Sequence, residues 1–371
     1  MTYFVCAVLS VALLFYLETG RCVSTLNSRK IICSTQSYNF VFIILLLYWT
    51  FIIGFQYDVG ADFHAYRIIF TYGVFHRPYE FLFHYFVLFL SQNNIHYRFG
   101  FVFIALLQFI CFILFLKKIK LSYNYLFIYL FFFVSTAFYN QPNIIRQFVS
   151  VYLFLLASWF IYKRRPICYV ALIMIASFFH TSALALLPVY FLTYFKLSQR
   201  FLCFLLLFLF LLSLFSLDNF VSMIIPLFGA YERFLGHAWA EEEIPIMSRL
   251  TRYIYIPFYL LSLLSYKKLN DKDKFFFQAG FISFSIIIFS LASRVLTRFS
   301  VYFWIPALFP LYYLCLFLFS DDGVAKRDKK IILFSFFFAN LIMFLGRIIF
   351  LYEYNSIFSN EITHVVFGLF N

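Results

Sequence analysis

The chain alternates long apolar runs with short polar or basic breaks. Runs long enough for membrane spans fall at about 1–17, 39–55, 99–116, 121–138, 144–162, 201–217, 250–266, 275–292, 299–319 and 331–351, since a helix needs about 20 apolar residues to cross the hydrocarbon core. The stretch 167–195 is long for one helix and short for two, and its middle carries Phe179-His180-Thr181-Ser182. A tight hairpin turning near His180 makes the charge pattern regular, because short cytoplasmic loops are enriched in Lys and Arg. All thirteen lysines, from Lys30 to Lys330, then face the cytoplasm. The pattern predicts an all-α, polytopic membrane bundle of about twelve transmembrane helices, one domain over 1–371 with both termini outside. The first run lacks the basic start and small-residue cleavage site of a signal peptide and reads as a retained span. External segments are expected at 56–98, 139–147 and 218–249, the first with a half-inserted or interfacial helix at 80–91, where Glu80 and His84 interrupt an apolar run.

Composition sharpens this picture. Of 371 residues, 64% are apolar and 12% charged, which excludes an ordinary soluble domain with about a quarter charged. The net charge of +13 resides in short clusters between apolar runs, so it sets topology and does not point to nucleic acid. The seven cysteines show neither a disulfide framework nor zinc spacing. Gly-rich nucleotide loops and a His-Glu-x-x-His helix are missing from the sequence, so no nucleotide cofactor is expected on this chain.

The arginines depart from the topology rule. Six of sixteen join the lysines inside, whereas Arg67, Arg77, Arg98, Arg146, Arg233, Arg249, Arg252, Arg294, Arg298 and Arg347 face outward with no lysine among them. A topology signal uses both residue types alike. Arginine's planar fork binds phosphate or carboxylate through paired hydrogen bonds and keeps its charge where the dielectric is low. Arg249 and Arg252 lie three apart and Arg294 and Arg298 four apart, each pair on one helical face at a membrane boundary. Arg146 opens a span after the Pro142-Asn143 break, where helix-end amides also favour anions. Arg77, Arg98, Arg233 and Arg347 are better read as snorkelling or acid-paired.

His180, beside Thr181 and Ser182, is an ionisable residue in an apolar stretch; a neutral imidazole there can accept a proton from a hydroxyl group. Asp58, Asp62 and Tyr66 follow one another at four-residue steps, so a helix would place them on one side, suited to a sugar or an arginine. Glu241-Glu242-Glu243 reads as a solvated loop.

Four segments carry a family resemblance: Gly60-Ala61-Asp62-Phe63-His64-Ala65-Tyr66, Arg146-Gln147-Phe148, Phe179-His180-Thr181-Ser182-Ala183-Leu184 and Arg298-Phe299-Ser300-Val301-Tyr302. In this order and spacing they resemble the EpsG-like branch of the Wzy-type polysaccharide polymerases, over roughly 56–305. The resemblance implies a glycosyltransferase-C-like bundle in the bacterial inner membrane with its active face periplasmic. There a growing glycan leaves its undecaprenyl diphosphate carrier and joins the next lipid-linked repeat unit, as in O-antigen, capsule or exopolysaccharide assembly. It also implies membrane lipids, a flippase and a chain-length regulator as partners, and no metal. Under it, Arg146, Arg249, Arg252, Arg294 and Arg298 are expected to clasp the diphosphate, Asp62 or His180 to activate the acceptor hydroxyl, and Tyr66, Arg67 and Tyr302 to contact sugar. A lipid-linked oligosaccharide flippase and an O-antigen ligase are the rival functions. A membrane acyltransferase is weaker, because His180 has no acidic neighbour in sequence and the arginines would go unexplained.

Overall fold

The computed structural model describes residues 2–26, 35–194, 196–215, 217, 244–319 and 326–350, apart from Asp58, Ala61, His76 and Pro78. Lys30, Arg233, Glu241-Glu242-Glu243 and most of the expected external segment 218–249 therefore lie outside the described residues, as does Asp58. Every regular element among the described residues is helical. The chain divides into two compact units, residues 1–184 with 345–371 and residues 185–344.

In the first unit, α1 (Thr2–Leu26), α2 (Thr35–Gly54), α5 (Tyr97–Ile119), α8 (Ile145–Tyr162) and α9 (Pro166–Ser177) are apolar helices, and α2 packs on α5, α5 on α8 and α8 on α9. Shorter helices α3 (Phe63–Tyr72), α4 (Phe81–Gln92), α6 (Asn124–Phe133) and α7 (Ala137–Asn140) join them. The core is aromatic: Trp49 of α2 lies 5.5 and 5.9 Å from the rings of Phe109 and Phe112 and 6.0 Å from Phe132. Each such ring removes a large apolar area from contact with other phases and leaves few rotamers to fix. Two buried polar groups illustrate how the core is satisfied. Trp49 Nε1 donates to Ser10 Oγ (2.8 Å), and the carboxylate of Glu18 accepts from the backbone N–H groups of Asn124 and Tyr125 (3.0 and 3.2 Å). That acid from α1 thereby supplies the start of α6 with the acceptors a helix end lacks.

In the second unit, α10 (Gln199–Ser213), α11 (Ile246–Tyr253), α12 (Ile256–Tyr266), α13 (Asp271–Phe289), α14 (Arg294–Ser300), α15 (Leu308–Phe319) and α16 (Lys326–Phe350, of which the part to Phe344 belongs here) follow in order. Local chemistry starts two of them: Ser198 Oγ accepts from the Phe201 N–H, and Asn270 Oδ1 accepts from the Asp273 N–H. Tyr259 of α12 stacks on Phe284 of α13 at 3.5 Å and donates to the Ala307 carbonyl. Gly280 of α13 is needed there, since a Cβ would come within 2.6 Å of the Pro306 carbonyl oxygen and of Pro310 Cδ.

By length and composition, α5, α8 and the stretch Asp271–Ala292 can each cross a membrane, and the pair Arg294–Phe303 with Leu308–Phe319, bent by 52°, makes a fourth span if taken together. The remaining apolar helices are shorter. Three of the expected runs are broken inside, 121–138 at Val134–Thr136, 250–266 at Ile254–Tyr255 and 299–319 at Trp304–Ala307, and 167–195 is interrupted at Phe178–His180, where the sequence places its turn. A physical reason is visible at two of them: Pro306 sits inside the 304–307 interruption, and Ser135 Oγ accepts from the Ala137 N–H beside 134–136. Residues 80–91 do form a helix, α4, of 12 residues. The result is a helical membrane protein.

Candidate functional site

The site in the first unit grows from a loop. Gly60 has φ +78°, and a Cβ there would meet Asn143 Oδ1 at 2.8 Å. Only glycine both tolerates that backbone and leaves room for Asn143. Asn143 Oδ1 in turn accepts from the Asp62 N–H at 3.0 Å, and Gln56 Nε2 donates to the Pro142 carbonyl at 3.3 Å. Thus the Gly60–Asp62 segment, which leads into α3, is pinned to the break that leads into α8. Asp62 stands at the N-terminal end of α3 and Tyr66 one turn further on, whereas Asp58, the first of the three at four-residue steps, lies outside the described residues. The start of α8 is held from below by a buried polar chain. Gln108 Nε2 donates to the Ile145 carbonyl (2.9 Å), Gln141 Nε2 to Gln108 Oε1 (2.7 Å) and Tyr152 OH to Gln141 Oε1 (2.8 Å).

These two pinned segments bring Tyr66 of α3 and Arg146 of α8 together: Arg146 Nε donates to Tyr66 OH at 3.2 Å. Its guanidinium also lies over the rings of Phe75 and Phe83, 4.9 and 5.4 Å from their centroids. The centre of the cluster is Glu80, immediately before α4 and 1% exposed. Its Oε2 pairs with Arg146 Nη1. Its Oε1 lies 3.1 Å from His180 Nδ1, 3.4 Å from both the N–H and the Oγ1 of Thr181, and 3.9 Å from Arg77 Nη1. Asp62 adds its field to Arg146.

Burial alone would raise the Glu80 carboxyl, but the hydrogen bond from His180 and the positive charges of Arg146 and Arg77 reverse this and hold it at about 2, below its ordinary 4.5. Burial lowers His180, against the pull of Glu80 and with the help of Arg146 and Arg77. At neutral pH the cluster therefore holds an ionised carboxylate and a neutral imidazole. A carboxylate can only accept, which assigns the imidazole proton to Nδ1 and leaves the lone pair on Nε2. An imidazole fixed in that tautomer is a proton acceptor, and a carboxylate behind it steadies the imidazolium that forms when a proton arrives.

The sequence marks Asp62, Tyr66, Arg146 and His180 as site candidates, and the fold gathers them around a residue it did not select, Glu80. Arg146 differs from expectation in one respect: its charge is already balanced by Glu80, so it is not a free anion-binding group. Arg77 is acid-paired, as expected. Arg67, the remaining candidate in this unit, lies on α3 with its guanidinium over the Tyr97 ring.

The other candidates belong to the second unit. Arg249 and Arg252 lie on α11 and Arg294 and Arg298 on α14, two short helices that each lead into an apolar one. Arg249 Nη1 donates to the Ser213 carbonyl at the end of α10 (3.1 Å), and the Leu217 N–H donates to the Ala292 carbonyl just before α14 (3.0 Å). Both arginine helices therefore meet the C-terminal end of α10. Arg252 Nη1 donates back along its own helix to the carbonyl and Oγ of Ser248 (3.0 and 2.8 Å). Tyr302 is fully buried, 5.8 Å from the Phe299 ring, and so is packed rather than open to a sugar.

A family model described as the EpsG family matches residues 39–360. No curated protein and no solved structure gives a significant match. Covering most of the chain and every element of the Glu80 cluster, that match makes this helical membrane protein a member of the EpsG family, a Wzy-like family of polysaccharide polymerases.

Proposed function

We propose that this polymerase joins repeat units carried on undecaprenyl diphosphate, at the outer face of the bacterial inner membrane, into O-antigen or a related surface polysaccharide. The observation that carries the reading is His180, its Nδ1 held by Glu80 and its Nε2 left as the acceptor. In the step proposed, the acceptor sugar hydroxyl passes its proton to Nε2 while its oxygen forms the new bond to the donor's anomeric carbon. The bond from that carbon to the diphosphate breaks, and the bonding electrons leave with the lipid diphosphate, which is a good leaving group and requires no nucleotide. Glu80 stabilises the imidazolium through the transfer. His180 rather than Asp62 is chosen as base, because Asp62 stands at a helix start and His180 has an orienting carboxylate.

Arg146 is assigned to holding Glu80 in place. Arg249, Arg252, Arg294 and Arg298 are the proposed ligands of a carrier diphosphate, on the chemistry of the guanidinium fork and their gathering at one end of α10. A fold of about twelve crossings, with a flippase and a chain-length regulator acting beside it, completes the proposal. The acyltransferase reading gains an acidic neighbour for His180 but still leaves the paired arginines without a task.

The test is a strain lacking the protein, complemented with wild type or with His180→Asn at matched expression, its surface glycan separated on a gel. The proposal expects a ladder from wild type and a single attached repeat unit from the variant. No attached unit at all points to the ligase or the flippase, and a full ladder from His180→Asn removes His180 as base.

A further inference from the structure

Five outward-type arginines belong to the first unit, and four of them, Arg67, Arg77, Arg98 and Arg146, divide into two pairs. Arg77 and Arg146 share the carboxylate of Glu80. Arg67 and Arg98 share a ring instead: their guanidinium carbons lie 5.2 and 5.9 Å from the centroid of Tyr97, the first residue of α5. Neither has an acid within ion-pair distance among the described residues. Stacking on a ring occupies the flat face of a guanidinium and spares its edge N–H groups, the ones that bind a planar or tetrahedral oxyanion.

Two further observations point to a missing partner. Arg98 Nη2 is wholly buried yet has no hydrogen-bond acceptor, and a buried, charged donor without an acceptor is a costly arrangement that folded proteins avoid. His96, exposed just before α5, is lowered by its partial burial and then by the charges of Arg98 and Arg67. The N-terminal end of α5, a helix of 23 residues, is capped by His96 Nδ1, which accepts from the Arg98 N–H at 3.4 Å, and the helix dipole adds partial positive charge to the same place. In a helix long and apolar enough to cross a membrane, that end lies at the lipid boundary.

We propose that Arg67 and Arg98, braced by the Tyr97 ring at the start of α5, form a phosphate-binding site at the membrane boundary, separate from the Glu80 cluster. Its ligand is the phosphate of a lipid, supplied either by an anionic headgroup or by a lipid diphosphate. The site stands whether or not His180 is a base.

The experiment uses the full chain, purified and stripped of lipid in detergent, with its melting temperature followed as phosphatidylglycerol or inorganic pyrophosphate is added. Wild type is expected to be stabilised by at least one probe. Arg67→Gln and Arg98→Gln should each weaken apparent affinity by about 10-fold to 100-fold, the loss of one charge-assisted hydrogen bond. Arg67 is exposed, so its variant keeps the fold even if Arg98→Gln lowers the melting temperature without any probe. Loss of the phosphatidylglycerol response alone identifies a headgroup, and loss of the pyrophosphate response identifies the diphosphate; both support the site. The proposal is overturned if wild type responds to neither probe, if both variants respond as wild type does, or if Arg200→Gln, which removes an exposed arginine at the start of α10, weakens binding equally.

Discussion

Replacing Glu80 with glutamine changes the centre of the cluster with little change of shape. The amide still accepts from His180 Nδ1 and Thr181, but it cannot balance Arg146 or Arg77. Removing one member of a buried ion pair costs about 3–5 kcal/mol. Two features place this case near the lower end: Arg146 keeps its bond to Tyr66, and its guanidinium stays over Phe75 and Phe83. Titration leads to the same size, because a carboxyl held at about 2 instead of 4.5 contributes about 3 kcal/mol of stability at neutral pH. Since the folded-state value is the depressed one, that contribution is complete above pH 4.5 and is lost as pH falls toward about 2. Thermal unfolding of the detergent-solubilised protein should therefore show Glu80→Gln melting well below wild type at neutral pH, with the two curves converging in acid. In chain extension the variant should be slower by about 10²–10⁴-fold, because His180 loses the carboxylate that steadies its charged form. Equal melting of variant and wild type at neutral pH would refute the ion pair. Equal extension rates would refute the role of Glu80 behind His180.

Three other outcomes are expected. Gly60→Ala forces a side chain into a left-handed backbone and against Asn143; it should lower stability by about 1–2 kcal/mol and shorten the glycan ladder, both measured beside Asn143→Ala, which relieves the contact but not the backbone. Tyr152→Phe leaves Gln141 Oε1 without its buried donor and should cost about 1–3 kcal/mol in a denaturation experiment, with chain length unchanged on gels at matched folded protein. Arg298→Lys keeps the charge but not the fork and should fail to restore long chains to a deletion strain; a normal ladder at native expression would count against the diphosphate role.

The helical class was legible because membrane spans are specified by composition, and composition survives local detail. The starts of α5, α8 and α13 fall within a few residues of the apolar runs that announced them. Breaks inside runs were harder to see. At Val134–Thr136 the residues on both sides are as apolar as in any unbroken helix, and a competing partner for the backbone sits at the interruption. Ser135 Oγ accepts from the Ala137 N–H. Hydropathy has no record of such a bond. At 167–195 the same competition was readable, since Phe179-His180-Thr181-Ser182 places three polar side chains together in an apolar run.

Within the site, His180 and Glu80 both stood out as ionisable residues in apolar runs, but their pairing did not, because they lie 100 positions apart and no helical spacing relates them. The missing pairing also altered how the arginines were read. An excess of Arg over Lys suggests an external anion only if the guanidinium groups are otherwise unoccupied. Arg146 meets Tyr66 through Nε, Glu80 through Nη1 and two phenyl rings through its flat face, a set of contacts that the single point charge of a lysine cannot make at once. Arg249 caps α10 through the Ser213 carbonyl. Part of the asymmetry is therefore architectural: arginine is used where one side chain must bond in several directions in a low-dielectric setting. The remainder, Arg67 and Arg98 with a shared ring and a buried, unanswered donor, is where the argument for a bound phosphate is strongest, because there the described residues supply no counter-charge.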